Sequence, residues 1–283
     1  MASDHCLHVD LDGAWPREAL PEARYLDCRD WGPRLRYSAT AGGMRRFAEH
    51  MAQWPARFTL SGSGDFHHLT AVWLQRFAEP FTLVSFDNHP DWDVRPPRWG
   101  CGGWVSRALE AVNLEQAFIW GCGNFELEWP TRLFANRRAL KAGRLHARPW
   151  FERLTPKAHP HWQTMTRESW REDFDEFAPS LRGKRVYVTV DLDCLRAEES
   201  VTNWENGLFT AEDIAWALRK IVRHAGIAAG DVCGAWSEPK YSRLIQRIEG
   251  RLDHPKLPPI DPANAREVNL RALQNIWPAL TAA

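Results

Sequence analysis

The run FTLVSFDNHPDWD, Phe81 to Asp93, begins as a strand built for burial and ends in three aspartates and a histidine. FTLV has no polar alternation, the pattern of a parallel strand covered on both faces. Residues two apart in an extended chain point the same way, so Asp87, His89 and Asp91 share one side, and Pro90 biases His89 toward that extended form. A buried strand therefore delivers a charged cluster at its carboxyl end.

Similar apolar runs recur along the chain. RFTL precedes Ser61, AFIWG precedes Cys122, RVYVTV precedes Asp191 and DVCGAW precedes Ser237. Between the last two, TAEDIAWALRKIVRHAG predicts a helix capped by Thr210 and Asp213, striped by Ile214, Leu218, Ile221 and Val222, and stopped by Gly226. The stretch from Thr155 to Ser180 carries Trp162, Trp170, Phe174 and Phe177 and is expected to pack on the same body. A terminal helix is expected around Leu270 to Leu280. This grammar predicts an α/β fold, one three-layer domain over residues 1–283 with a mostly parallel central sheet.

In such a sheet the active crevice lies beyond the carboxyl ends of the strands. SGSGDFHHLT places His67 and His68 there, DNHPD places Asp87, His89 and Asp91, and DLD places Asp191 and Asp193 with the same two-residue period.

Composition narrows the function. Lys plus Arg and Asp plus Glu each number 36, so no charge excess points to nucleic acid. The six cysteines lack CxxC spacing and read as reduced thiols, which places the chain in the cytoplasm. The first residues do not resemble a signal peptide, and no apolar run approaches the length of a membrane span. The expected partner is a small molecule.

Four carboxylates gathered without cations would repel one another, and divalent ions remove that cost. A carboxylate-rich set with imidazoles suits Mn²⁺ first, with Fe²⁺, Co²⁺, Ni²⁺ or Zn²⁺ as alternatives. No cysteine stands among the candidate ligands, which argues against a structural zinc knot. Two such ions can activate water for hydrolysis. Taken alone, a DxD after a strand is more often a solvated turn; its combination with DxHxD and an upstream histidine favours the metal reading.

These motifs resemble those of the ureohydrolase family of arginases and agmatinases. Its Gly-Gly-Asp-His-Ser motif is matched by Gly64 to His68, its Asp-Ala-His-x-Asp by Asp87 to Asp91, and its Ser-x-Asp-x-Asp by Thr189 to Asp193. The resemblance implies an arginase/deacetylase-like fold, a homo-oligomer and a pair of metal ions. It assigns His67, Asp87, Asp91 and Asp191 to the first ion and Asp87, His89, Asp191 and Asp193 to the second, with Asp87 and Asp191 bridging. Asp91 would also orient the hydroxide held between the ions. The implied reaction is hydrolysis of a C–N bond in a small guanidino, amidino or related amide compound.

The substrate side departs from the family pattern. Cys101, in CGGW, stands where a proton-transferring histidine is expected, with Trp104 expected to wall the pocket. ESVTNWENG replaces a Pro-Gly-Thr-Gly segment. Glu238 is the candidate for holding a cationic substrate, competing with Trp236 for that position. A catalytically inactive metal-binding protein with a structural or regulatory role is the alternative, and a one-zinc deacetylase a smaller one. His159 and His161 read as surface residues, and Cys122 as an inert thiol.

Overall fold

A computed structural model describes residues 3–111 and 113–282. In chain order the strands are β1 (Ser3–Asp10), β2 (Ala23–Asp27), β3 (Ser38–Ala39), β4 (Phe58–Leu60), β5 (Phe81–Phe86), β6 (Trp99–Gly100), β7 (Leu114–Trp120), β8 (Leu145–Arg148), β9 (Val186–Asp191) and β10 (Ala229–Cys233). Eight form one sheet in the order β2-β1-β4-β10-β9-β5-β7-β8, and every neighbouring pair is parallel. β3 and β6 pair separately and antiparallel.

Both faces of the sheet are covered, which explains the unbroken apolar runs. Val84 and Phe86 join Val188 and Val190 in a core under the helices Trp170–Phe177, Ala211–His224 and Pro262–Thr281. Phe81, Leu83 and Tyr187 point the other way, into a core with Phe47, Trp73 and Trp104. The two-residue alternation of the strand thus supplies two apolar layers at once.

The expected helix runs from Ala211 to His224. Thr210 Oγ1 accepts from the Asp213 N–H at 3.0 Å, and Asp213 accepts from the Thr210 N–H at 2.9 Å, closing both sides of the capping box. Trp170, Phe174 and Phe177 are buried, so the Thr155–Ser180 excursion packs on the main body. The terminal helix is longer than expected because Asp261 caps it and Pro262 opens it. β1 and β2 were not legible beforehand. His8 and Asp10 interrupt the apolar signal of Leu7 and Val9, yet β1 is an inner strand between β2 and β4.

Four adjacent strands, β4, β10, β9 and β5, carry the site at their carboxyl ends. The chain leaves β4 for β5 three positions away and returns through β9 and β10 to fill the gap. The crevice therefore forms where strand order reverses.

Candidate metal centre

Asp87 follows the last residue of β5, Asp191 ends β9, and Asp193 lies two residues beyond it. The turn after β4, Gly64–Leu69, carries His67. Around His67 Nδ1 stand Asp87 Oδ2 at 3.1 Å, Asp91 Oδ2 at 3.2 Å and Asp191 Oδ2 at 3.5 Å. A second group forms around His89 Nδ1, with Asp193 Oδ2 at 2.8 Å and Asp87 Oδ1 at 3.7 Å. Asp87 belongs to both clusters, as a bridging carboxylate must. The described residues thus contain two adjoining His/Asp clusters with the makings of a binuclear metal site.

Local backbone chemistry aims these oxygens. Asp191 Oδ1 accepts the Asp193 N–H at 3.0 Å, leaving Oδ2 to face His67. Asp87 Oδ1 likewise accepts the His89 N–H at 2.7 Å. Asp91 has a φ of +49°, so DNHPD is not extended to its end as expected. That left-handed residue turns the carboxylate back under His67, an unfavourable conformation of the sort that collects at functional sites. Gly234, at φ +102°, leaves room for Asp191: a Cβ there would lie 2.2 Å from Asp191 Oδ1.

The donor set is short of positive charge. Burial, reinforced by Asp87, raises the Asp91 carboxyl to about 7. Burial and then the charge of Asp191 drive Asp193 well above the ordinary carboxylate range. For His67, burial opposes protonation, but hydrogen bonds to Asp87 and Asp91 outweigh it and raise the pKa well above that of free imidazole. His89 is raised likewise, with the charge of Asp193 overcoming burial. Buried carboxylates competing for protons and imidazoles are what divalent cations neutralise, so the residues present fit a metal pair.

The supports behind the clusters come from distant parts of the chain. His67 Nε2 lies 2.9 Å from Thr189 Oγ1, whose hydroxyl donates to Asp231 Oδ1 at 2.7 Å. This chain fixes the ring so that Nδ1 faces the carboxylates. Trp104 Nε1 donates to Asp91 Oδ2 at 2.6 Å, and its ring lies 4.8 Å from that of His67. The expectation that Trp104 walls the substrate pocket is corrected: its indole is fully buried behind the ligands, where its N–H finds a carboxylate.

Trp204 takes the pocket position instead. It lines a narrow cleft, with a cavity volume of about 30 Å³, together with Asp87, His89, Asp91, Asp191 and Asp193. Its ring meets that of His89 edge to face, 5.2 Å away. The adjacent Glu205 carboxylate lies 3.3 Å from His89 Nε2. The segment Glu199 to Gly207 thus builds one wall.

Cys101 also lines the cleft, but burial pushes its thiol well above the ordinary value, with Asp65 and Asp91 adding to the shift. Glu238 is exposed, and neither it nor Trp236 is among the lining residues. Glu126 and Asp253, which sequence reasoning passed over, do line it. Burial first and Asp91 second raise the Glu126 carboxyl to about 8. The available signal was another charged strand end, GCGNFE after β7. His159 stacks on Phe151 and His161 lines a different hollow, so neither reaches the cleft.

One expectation about the ligands is also corrected. Cys233 Sγ lies 3.3 Å from Asp191 Oδ2, and His67, Asp191 and Cys233 each offer a donor atom within 4.8 Å of the others. A cysteine therefore stands among the candidate ligands. All six cysteines are buried.

No protein-family model matches the chain. It is 27% identical over 177 residues to an uncharacterized protein of Thermotoga maritima, covering 62% of this chain and 57% of that relative. Among solved structures, it resembles an arginase from Bacillus subtilis with a TM-score of 0.56 and 11% identity, covering 98% of each chain. A hypothetical agmatinase from Burkholderia thailandensis gives 0.53 and 16%, covering 100% of this chain and 88% of the other. Formimidoylglutamase from Bacillus subtilis gives 0.53 and 13%, covering 96% and 86%. At these identities the likeness establishes the fold, which is the three-layer arginase/deacetylase-like α/β fold in a divergent sequence. No helix among the described residues is long and apolar enough to cross a membrane.

Proposed function

We propose that this chain, built on the arginase–agmatinase fold, is a metal-dependent hydrolase of a C–N bond in a small guanidino, amidino or related amide compound. The observation that carries the reading is the convergence of His67, Asp87, Asp91 and Asp191 beside the adjoining group of Asp87, His89 and Asp193. Two divalent ions, Mn²⁺ by the predominance of carboxylates, would be held by these two groups, with Asp191 as a second bridge by resemblance. When bound, such ions supply hydroxide near neutral pH and stabilise charge developing on the attacked carbon's substituents.

The chain's own residues supply orientation and selection. In this reading Asp91, which accepts a hydrogen bond from Trp104, orients the nucleophile. Trp204 and Phe125 provide flat cleft surface, Asp253 and Glu205 add carboxylates that complement a cationic substrate, and the Glu126 carboxyl, raised to about 8, offers a hydrogen-bond donor near neutral pH. Asp253 and Glu205 thereby take the role expected of Glu238. The buried Cys101 thiol, with no base hydrogen-bonded to it among the described residues, acts as cleft wall rather than proton carrier. A homo-oligomer is part of the same reading and is open to light scattering.

Metal analysis combined with release of urea or ammonia from a panel of guanidino and amide compounds tests the proposal. Two ions per chain and turnover are expected, with Asp87→Ala and Asp191→Ala each losing metal and activity. Fewer than one ion per chain would sink the metal site. A metal pair without turnover across the panel would favour the inactive, regulatory alternative.

A further inference from the structure

Cys233 is the last residue of β10 and pairs in register with Asp191 on β9. Its side chain is buried, and Gly234 turns the backbone away immediately after it. The oxygen that meets Sγ at 3.3 Å is Asp191 Oδ2, the same oxygen that stands 3.5 Å from His67 Nδ1. Nitrogen, oxygen and sulfur donors sharing one ion at about 2.0 to 2.3 Å stand roughly 3.0 to 3.7 Å apart. The Asp87 and Asp91 oxygens, at 3.1 and 3.2 Å from His67 Nδ1, have the same spacing.

We infer that Cys233 supplies a sulfur ligand at the His67 position and makes the two metal sites chemically unlike. The inference rests on the two-metal reading and extends it to the identity of the ions. Cys233 gives its proton to solvent as the cation enters and binds as thiolate. Soft thiolate favours Zn²⁺ or Co²⁺ over Mn²⁺, whereas the group around His89 offers only imidazole and carboxylate and remains suited to Mn²⁺. The competing arrangement keeps the thiol protonated, as a weak hydrogen-bond donor to Asp191 Oδ2 outside the metal's coordination shell.

The test uses the full chain, stripped with chelator and reloaded with Co²⁺ or Zn²⁺. The Co²⁺ protein is expected to show thiolate-to-metal charge-transfer absorption, lost in Cys233→Ser. X-ray absorption on the Zn²⁺ protein should find a sulfur neighbour at about 2.3 Å. In competition, Cys233→Ser should lower the preference for Zn²⁺ over Mn²⁺ at least tenfold. The wild-type spectra decide the matter even if the variant fails to fold. Two ions per chain with nitrogen and oxygen neighbours alone would overturn the Cys233 ligand and leave the two-metal reading standing. One ion per chain with sulfur bound would do the reverse, and no bound ion would overturn both.

Discussion

The indole N–H of Trp104 donates to Asp91 Oδ2 across 2.6 Å, the same oxygen that stands 3.2 Å from His67 Nδ1. An apolar side chain at the head of a helix therefore fixes a candidate metal ligand from behind. Trp104→Phe keeps an aromatic ring but removes the N–H donor together with the pyrrole half of the indole. Because partners of metal ligands typically contribute 10- to 100-fold to affinity, the variant should bind its more weakly held ion about tenfold or more worse, with some loss of melting temperature from the void left in the core. Metal titration by calorimetry checks this, and unchanged affinity would show that Asp91 needs no such support.

Glu126 makes a pH-dependent prediction for the chelated protein. Its carboxyl is raised to about 8 in the fold, by burial first and Asp91 second, against about 4.3 when unfolded. Between those values the folded chain holds a proton that the unfolded chain has lost. The group's contribution is therefore fully present below about 4.3 and falls as pH rises toward 8, by up to about 1.4 kcal/mol per unit. Glu126→Gln lacks this loss. Thermal melts from pH 5 to 9 should show the variant gaining on wild type up to about pH 8 and then levelling off. A difference independent of pH would contradict the assignment.

Asp65 ties the turn that bears His67 to the rest of the molecule. It accepts from Arg36 Nε at 2.6 Å and lies 2.7 Å from His254 Nε2, while Arg36 Nη1 donates to Ser237 Oγ at 2.9 Å. Burial would raise the Asp65 carboxyl, but Arg36 and His254 outweigh it and hold it well below the usual range. Asp65→Ala leaves the buried Arg36 without its closest carboxylate and should cost about 3 to 5 kcal/mol near neutral pH. The stability from a depressed carboxyl is present above its unfolded value of about 3.9 and is lost as pH falls below it. The gap between wild type and variant in urea melts should accordingly narrow in acid, and a gap that widened would exclude this account.

The convergence of Asp87, His89, Asp91, Asp191 and Asp193 at one rim was legible because its signals are local, whereas the choice of His67 over His68 came from the family resemblance. A continuous apolar run announces a strand covered on both faces, and charged residues at a two-residue period just beyond it announce what its carboxyl end carries. Asp87, His89 and Asp91 needed only their own nine-residue surroundings, as did Asp191 and Asp193. The capping box of Thr210 and Asp213 was readable for the same reason. β1 was not, because a strand's place inside a sheet depends on its neighbours and His8 and Asp10 disguised its apolar face.

Only the tertiary structure decided which neutral side chains meet those ligands. Cys233 lies beside Asp191 because β10 and β9 pair in one register, and a shift by one residue would send its thiol to the opposite face. Trp104 became a support rather than a wall because packing places its indole behind His67, leaving Trp204 to face the cleft. Sequence spacing within a strand end determines which charged groups point together; strand order and register determine what stands against them.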